Sequence, residues 1–556
     1  MRFETRILIG IILVTLGSSS LTVSAAQAVE KPPREAPVPV PARASPHTPP
    51  HAPRRAEPRF DIREFLVLGN HLLPQRVVER AVYPFLGENR DLDTVREAVV
   101  ALEKAYKDAG YGATFVDIPP QRVTAGIVRL QVTEGVLYRV RVRGERYFSE
   151  RQIRAALPAL QPGTTLNLIR LQQELTELNS HTTDRVVTPV LTAGPVPGTV
   201  NVDLDVKDKL PLHGSLQYDD IHTEDTTPNR LTASLSYDNL WQRQDSIGIQ
   251  YQTAPADPRN AQVFSADYLA HIGGGIAALS YIHTTSNVLA VGTLGVLGEG
   301  DIYGLHWVQP LPGTATVSQG LNVGVDYKDV QTEVFPDETP SGTSGLVTAP
   351  VRYLNWSVVY SQNRRMTYST LALSTGLQFG VRSLINSADQ FENARYNATP
   401  DYVYFRASAS ATQALPAGLG LLESVSGQWS PDALVNNEQF AVGGVGTVRG
   451  YLVAETLGDS GAAASLEVHS PSLGPRLGAM LRPLYGFLFV DGGVASLVDP
   501  LPGQDGEVKL WSYGVGAHLE STTGVAASLD YAIPQLAGPV TRKGEGRIDF
   551  LIQYAF

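Results

Sequence analysis

Two rhythms divide this chain. From Leu210 to the end, apolar and polar residues alternate with period two. Leu231, Ala233, Leu235 and Tyr237 alternate with Thr232, Ser234 and Ser236; Leu371, Leu373, Leu377, Phe379 and Val381 with Ala372, Ser374, Gly376 and Gln378; Ile548, Phe550, Ile552, Tyr554 and Phe556 with Arg547, Asp549, Gln553 and Ala555. Each run is about ten residues long and apolar on one face, the pattern of a tilted strand with lipid outside and water inside. Strand starts fall near Leu210, Arg230, Asp245, Ala261, Gly275, Asp301, Val317, Val351, Ser369, Asp401, Leu421, Ala462, Tyr485, Leu510, Gly524 and Arg547. That makes about sixteen antiparallel strands, an even number as bacterial barrels have, enclosing an aqueous channel. A soluble β-sandwich or propeller would share the alternation but not the aromatic strand ends.

Before Leu210 the rhythm is mixed. Phe60 to Leu68 reads as a strand closed by Gly69-Asn70. Pro74 opens a short helix with Val77, Val78, Ala81 and Val82 inward. Leu92, Val95, Val99, Leu102 and Tyr106 keep helical spacing up to Gly110. Strands near Ala113 to Ile118 and Ile127 to Val132 complete the unit. The same β-α-α-β-β order then recurs about 75 residues on: Gly144 matches Gly69, Phe148 matches Leu73, Ile153 matches Val78 and Leu157 matches Val82. Asn167 caps a second helix with Leu168, Leu171, Leu175 and Leu178 on one face, and strands near Val186 to Leu191 and Val200 to Val206 follow.

The ends of the chain bear on compartment. Arg2 and Arg6, the apolar run Ile7 to Leu16, and Ala26-Gln27-Ala28 form an export signal over residues 1–28. The apolar run is too short for a comfortable span of about 30 Å, so a membrane form must be a barrel. Residues 29–58 carry ten prolines and read as an extended spacer. The chain has no cysteine and a net charge of −11, which excludes thiolate chemistry and argues against a nucleic-acid partner. No metal-ligand spacing, nucleophile elbow or phosphate loop is present, so neither an enzyme nor a cofactor is expected. Gly444-Val-Gly446 begins like a dinucleotide loop, but Arg449 stands at the third glycine position and no βαβ unit surrounds it. Asp219 and Asp220 read as solvated rim residues.

One connection, residues 430–461, is long and rich in glycine. It holds Val448-Arg449-Gly450-Tyr451, and a later strand carries Phe489, Asp491 and Gly493. Alternation turns Phe489 and Asp491 to one face, and Asp491 must avoid lipid. With these paired motifs behind two α+β modules, the chain resembles the two-partner secretion transporters of the outer membrane, the haemolysin secretion/activation family. The resemblance covers nearly everything after Arg59. It implies two periplasmic POTRA domains, here 59–136 and 137–209, and an outer-membrane β-barrel of sixteen strands over 210–556. It also implies that 430–461 folds into the lumen, where Arg449 meets Asp491. In a wet lumen that pair contributes about 1 kcal/mol. The partners implied are outer-membrane lipid, the barrel-assembly machinery that reads the terminal Tyr554 and Phe556, and a secreted exoprotein of adhesin or haemolysin type with an N-terminal secretion domain. That client is expected on the first module, at Leu92, Val95, Val99, Ala113, Phe115 and Ile118, and passes without nucleotide. Many relatives carry a barrel-plugging helix where this chain has its proline-rich segment, so a plug there is not expected. Two alternatives remain: an assembly factor of the same superfamily that inserts other barrels, and a diffusion porin, which would need neither the modules nor the arginine motif.

Overall fold

The computed structural model describes residues 59–224, 226–285, 299–334, 347–382, 384–474 and 481–556. The export signal and the proline-rich segment lie outside the described residues. Two compact units divide the chain near Leu210.

The first unit holds both α+β modules. Module one runs β1 (Phe60–Ile62), β2 (Glu64–Leu68), α1 (Gln75–Val82), β3 (Gly87–Arg90), α2 (Leu92–Asp108), β4 (Phe115–Asp117) and β5 (Ile127–Thr133). Module two runs β6 (Val136–Arg143), α3 (Glu150–Ala155), α4 (Leu168–Ser180), β7 (Arg185–Ala193) and β8 (Thr199–Asp208). The sheets are β2-β5-β4 and β6-β8-β7, each with one parallel and one antiparallel pair. The expected strand 60–68 is in fact two strands: β1 leaves the main sheet and pairs with β3, which the sequence did not suggest. Val77 is exposed rather than inward; Val78 and Val82 carry that helix face.

The repeat has a physical core. Gly69 (φ 82°) and Gly144 (φ 87°) make the same left-handed turn, and a Cβ on either would sit 2.4 or 2.5 Å from the carbonyl oxygen of Val132 or Val206. The next turn is closed by a carboxylate from the end of the sheet. Glu134 accepts the N–H groups of His71 and Leu72, and Asp208 those of Arg146, Tyr147 and Phe148. Asn167 caps α4 by accepting from Arg170 N–H, and its amide donates to Ala109 O of module one, which joins the two modules.

Both modules bury a polar side chain in their cores. In module two Arg185 donates to Leu178 O at 2.8 Å and lies 5.0 Å from the Phe148 ring centre. Burial pushes its pKa down to about 10, with Asp208 opposing, so it stays charged at neutral pH. In module one the Tyr106 hydroxyl donates to Asn70 Oδ1 at 2.5 Å, and burial beside Glu134 pushes its pKa above the ordinary 10.0. The folded module therefore keeps this proton where the unfolded chain releases it. Stability contributed here is complete below pH 10 and falls as pH rises further. Tyr106→Phe should cost about 1 kcal/mol and flatten that alkaline loss, as read by hydrogen exchange across α2 in the full chain.

The second unit is a closed barrel of sixteen antiparallel strands. They are β9 (Leu212–Asp219), β10 (Arg230–Leu240), β11 (Asp245–Thr253), β12 (Gln262–Ile272), β13 (Gly275–Thr284), β14 (Glu299–Thr314), β15 (Val317–Val334), β16 (Val347–Arg365), β17 (Ser369–Gly380), β18 (Val403–Ala414), β19 (Gly420–Trp429), and then β22 (Ser460–His469), β23 (Leu481–Ser496), β24 (Glu507–Ser521), β25 (Val525–Pro534) and β26 (Arg547–Ala555). Between β19 and β22 lies a short hairpin, β20 (Phe440–Val442) with β21 (Thr456–Gly458). Every expected strand start lies within four residues of an observed one. Alternation gives the two faces: Leu488 and Val490 are exposed on the outer side, while Phe489 and Asp491 are buried on the inner side.

Closure is by β9 with β26, from Leu551↔Asp219 to Ala555↔Ser215. Phe556 ends the seam, its N–H donating to Gly214 O at 3.0 Å and its ring lying where a Gly214 side chain would be. Asp219 and Asp220 are not solvated rim residues. Asp219 is 1% exposed and accepts from Gln217 and from Ile221 N–H. Asp220 accepts from Phe550 N–H at 2.8 Å and so extends the seam beyond β9. The acidic pair closes the barrel, because strand ends leave main-chain donors that a carboxylate can satisfy.

Candidate functional site: the tethered lumenal loop

Residues 430–461 fold so that Arg449 reaches the inner wall. Its Nε and NH2 donate to Asp491 Oδ2 and Oδ1 at 2.7 and 2.8 Å, its NH1 to Glu467 at 2.7 Å, and its NH2 also to Ser465 at 3.0 Å. The Arg449 main-chain N–H donates to Asp491 Oδ2 as well, at 3.1 Å. The guanidinium lies 3.6 Å from the Phe489 ring centre and 5.9 Å from that of Phe487. One planar fork thus meets two carboxylates, a hydroxyl and an aromatic face, which a point-charge ammonium could not do.

The expectation of a wet, weak pair does not hold. Arg449 is 5% exposed and Asp491 1%. Phe487 and Phe489 exclude water by lying across Gly516 and Gly514 of β24, where a Cβ would come 2.3 and 2.4 Å from the rings. In this setting, removing one partner strands a buried charge at a cost of about 3–5 kcal/mol.

The rest of the motif is placed around this contact. Val448 packs on Gly493, with only 3.1 Å from a built Gly493 Cβ to its side chain. Gly450 packs on Ala532 and Pro534 of β25. The Tyr451 hydroxyl lies 3.1 and 2.9 Å from the Trp511 and Leu536 carbonyls. All seven motif residues therefore belong to one inner-wall assembly.

Three further anchors carry no sequence signature we read. Glu438 accepts from Lys328 Nζ (2.5 Å), Tyr353 Oη (2.7 Å) and Tyr404 Oη (2.6 Å), side chains of β15, β16 and β18. Asp459 accepts from both terminal nitrogens of Arg395 and from the N–H groups of Leu434 and Val498. Glu455 accepts from Thr541 N–H at 2.7 Å in the β25–β26 connection. A lone Glu or Asp in a loop has no partner visible at short range, and the partners here are up to 110 residues away.

The six residues expected to meet a client scatter. Leu92, Val95 and Ile118 line one groove of about 530 Å³ with Phe60, Pro119 and Val128, although Val95 is otherwise core. Phe115 is 60% exposed on the edge strand β4. Val99 packs within the core of module one, and Ala113 packs against that of module two. Tyr554 and Phe556 stand together at the barrel seam, ring centres 6.3 Å apart.

A sixteen-stranded barrel with a loop tied to its inner wall, preceded by paired α+β modules, defines an outer-membrane transporter whose modules sit in the periplasm. Comparison with known families identifies it further. The chain belongs to the haemolysin secretion/activation family typified by ShlB, FhaC and HecB, whose model matches residues 198–519, more than half of the chain; a ShlB-type POTRA model matches residues 60–135. Among curated relatives, the outer membrane transporter CdiB of Dickeya dadantii is 23% identical over 410 residues, covering 73% of this chain and 71% of the relative. CdiB of Escherichia coli O6:K15:H31 is 21% identical over 411 residues, 73% of this chain and 68% of the relative. Two solved structures share the fold: CdiB from E. coli, at TM-score 0.60 and 20% identity over 92% of this chain and 93% of that one, and BamA from Haemophilus ducreyi lacking POTRA domains 1–3, at 0.55 and 14% over 89% and 100%.

Proposed function

We propose that this transporter takes an unfolded exoprotein of adhesin or haemolysin type in its modules and passes it through the barrel to the cell surface without nucleotide. The observation that carries the recognition step is the groove beside β5. β4 ends at Asp117, and Pro119-Pro120 turn the chain away, with no N–H to offer the sheet. The amide of Gln121 stands in for the missing strand, accepting from Arg129 N–H and donating to Arg129 O, both at 2.7 Å. An extended client segment can take over these main-chain groups while its side chains enter the apolar groove. The outer edge of β4 is less open, because Glu103 accepts Val116 N–H at 3.1 Å.

The test is co-expression with the candidate client, an exported repetitive protein encoded beside this chain, and measurement of surface-exposed client. Leu92→Asp places a charge in the groove and should lower export at least tenfold, about 1.4 kcal/mol of lost binding, while leaving barrel content unchanged. Export of the client at wild-type level by this variant would rule the groove out.

A further inference from the structure

The groove beside β5 has a second occupant within reach, and it is part of this chain. Arg59 is the first described residue, and Phe60, the next, lines the groove. The proline-rich residues 29–58 therefore enter module one at the rim of this site. We infer that Ala36-Pro-Val-Pro-Val-Pro-Ala42 docks beside β5 as an added edge strand and holds the groove until the client displaces it. The inference rests on the export reading for what the groove does, and adds a control on that same site.

Within residues 29–58, prolines fall at every second position only at Pro37, Pro39 and Pro41. That spacing has a consequence in an extended chain. The main-chain N–H and C=O of one residue point to one edge, and those of the next residue to the other. Val38 and Val40 thus offer N–H groups to one edge, while the three prolines leave the opposite edge with none. Such a strand pairs on one side only, which is where sheets tolerate proline. It closes a sheet rather than extending it.

The receiving edge matches. β4 stops at Asp117, paired with Gln131, so Arg129, the next β5 residue on that edge, has no strand beside it. Its N–H and C=O are held by the Gln121 side chain. A valine of the segment can exchange both bonds with Arg129, as in an antiparallel pair. Directly opposed residues share a face of the sheet. Arg129 is exposed, and its neighbours Val128 and Leu130 are buried. The valine then lies outward with Arg129, and Pro39 turns inward to the groove between Leu92 and Val128. A proline ring fills apolar space with no side-chain entropy to lose. Seventeen positions, from Ala42 to Arg59, form the tether. A proline-rich tether of that length spans up to about 50 Å. It holds the strand at an effective concentration on the order of millimolar, enough for a weak contact to occupy the site.

The chain has no native cysteine, so introduced pairs report without interference. P39C/L92C is made in the full-length protein, with P53C/L92C as the control, because Pro53 stands nearer the tether's end at Arg59. Leu92 is partly exposed, so the substitution leaves the core of module one in place. Purified protein is oxidised with copper phenanthroline, and the disulfide is read on non-reducing gels. P39C/L92C should bridge at least fivefold more than P53C/L92C. Adding V38P/V40P removes the two N–H groups, keeps the segment extended and apolar, and should lower that bridging at least fivefold. In cells, the oxidised P39C/L92C pair should lower surface-exposed client at least fivefold against L92C alone, and dithiothreitol should restore it. V38P/V40P without the cysteines should raise it at least twofold. Equal bridging by the two pairs, or bridging that survives V38P/V40P, overturns the docking whatever L92D does to export. A specific bridge that leaves export unchanged overturns the control, and if L92D also exports normally, the export reading of the groove falls with it. Heat-modifiability on gels, recorded for each protein, separates these results from a misfolded barrel.

Discussion

Arg449→Ala should give a barrel that still assembles and a transporter that no longer exports. The substitution removes the side-chain donors that hold Asp491 and Glu467, and leaves Asp491 with the Arg449 main-chain N–H. A carboxylate 1% exposed and short of its counter-charge costs about 3–5 kcal/mol. That cost falls on the docked loop, because the alternative of undocking rehydrates Asp491. The main-chain ladder of sixteen strands is not touched. Arg449→Lys should fare little better, since one ammonium cannot reproduce a fork shared among Asp491, Glu467 and Ser465. The measurements are heat-modifiability for the barrel and surface-exposed client for export. Wild-type export by Arg449→Ala would remove the tether from the mechanism.

Gly514→Val should be more severe still, because it strikes the wall. A Cβ at Gly514 would lie 2.1 Å from Tyr531 O and 2.4 Å from the Phe489 ring. The backbone oxygen belongs to the β24–β25 ladder and cannot yield, and the ring that would have to move is the one beneath Arg449. Overpacking of this kind typically costs about 1–3 kcal/mol, and here it adds to the loss of the ring's contact with the guanidinium. Gly486→Val is the matched control. Gly486 alternates to the outer face of β23, where the nearest atom to a built Cβ is Gly516 O at 3.6 Å. Gly514→Val should reduce the amount of heat-modifiable barrel several-fold while Gly486→Val leaves it unchanged. Equal behaviour would mean that the Phe489 packing does not govern assembly.

These two glycines show why part of the site was legible and part was not. Arg449 and Asp491 could be read because each is chemically conspicuous: a cation set among glycines, and a carboxylate in a strand that otherwise faces lipid. Gly514 and Gly486 look alike in sequence and differ only in which face they occupy and what crosses it. Glu438 and Asp459 are ordinary acids in a loop until β15, β18 and Arg395 are brought beside them. Asp219 and Asp220 look solvated in sequence for a related reason: Asp219 is satisfied locally by Gln217 and Ile221, but Phe550, the partner of Asp220, arrives only when the last strand closes on the first.

Apart from the split of 60–68 into β1 and β2, the sequence by itself determined the two modules, the barrel strand starts to within four residues and the inward face of each barrel strand. Those follow from local periodicity: a residue's side in a strand or helix is set by its neighbours within a few positions. Tertiary structure alone decided which inward residues meet. Barrel closure and the return of a long loop bring together side chains dozens to hundreds of positions apart, and burial there turns a weak wet ion pair into a costly one to break. The family resemblance implied that Arg449 meets Asp491 in the lumen; only the fold gave it Glu467, Ser465 and a buried place against the Phe489 ring.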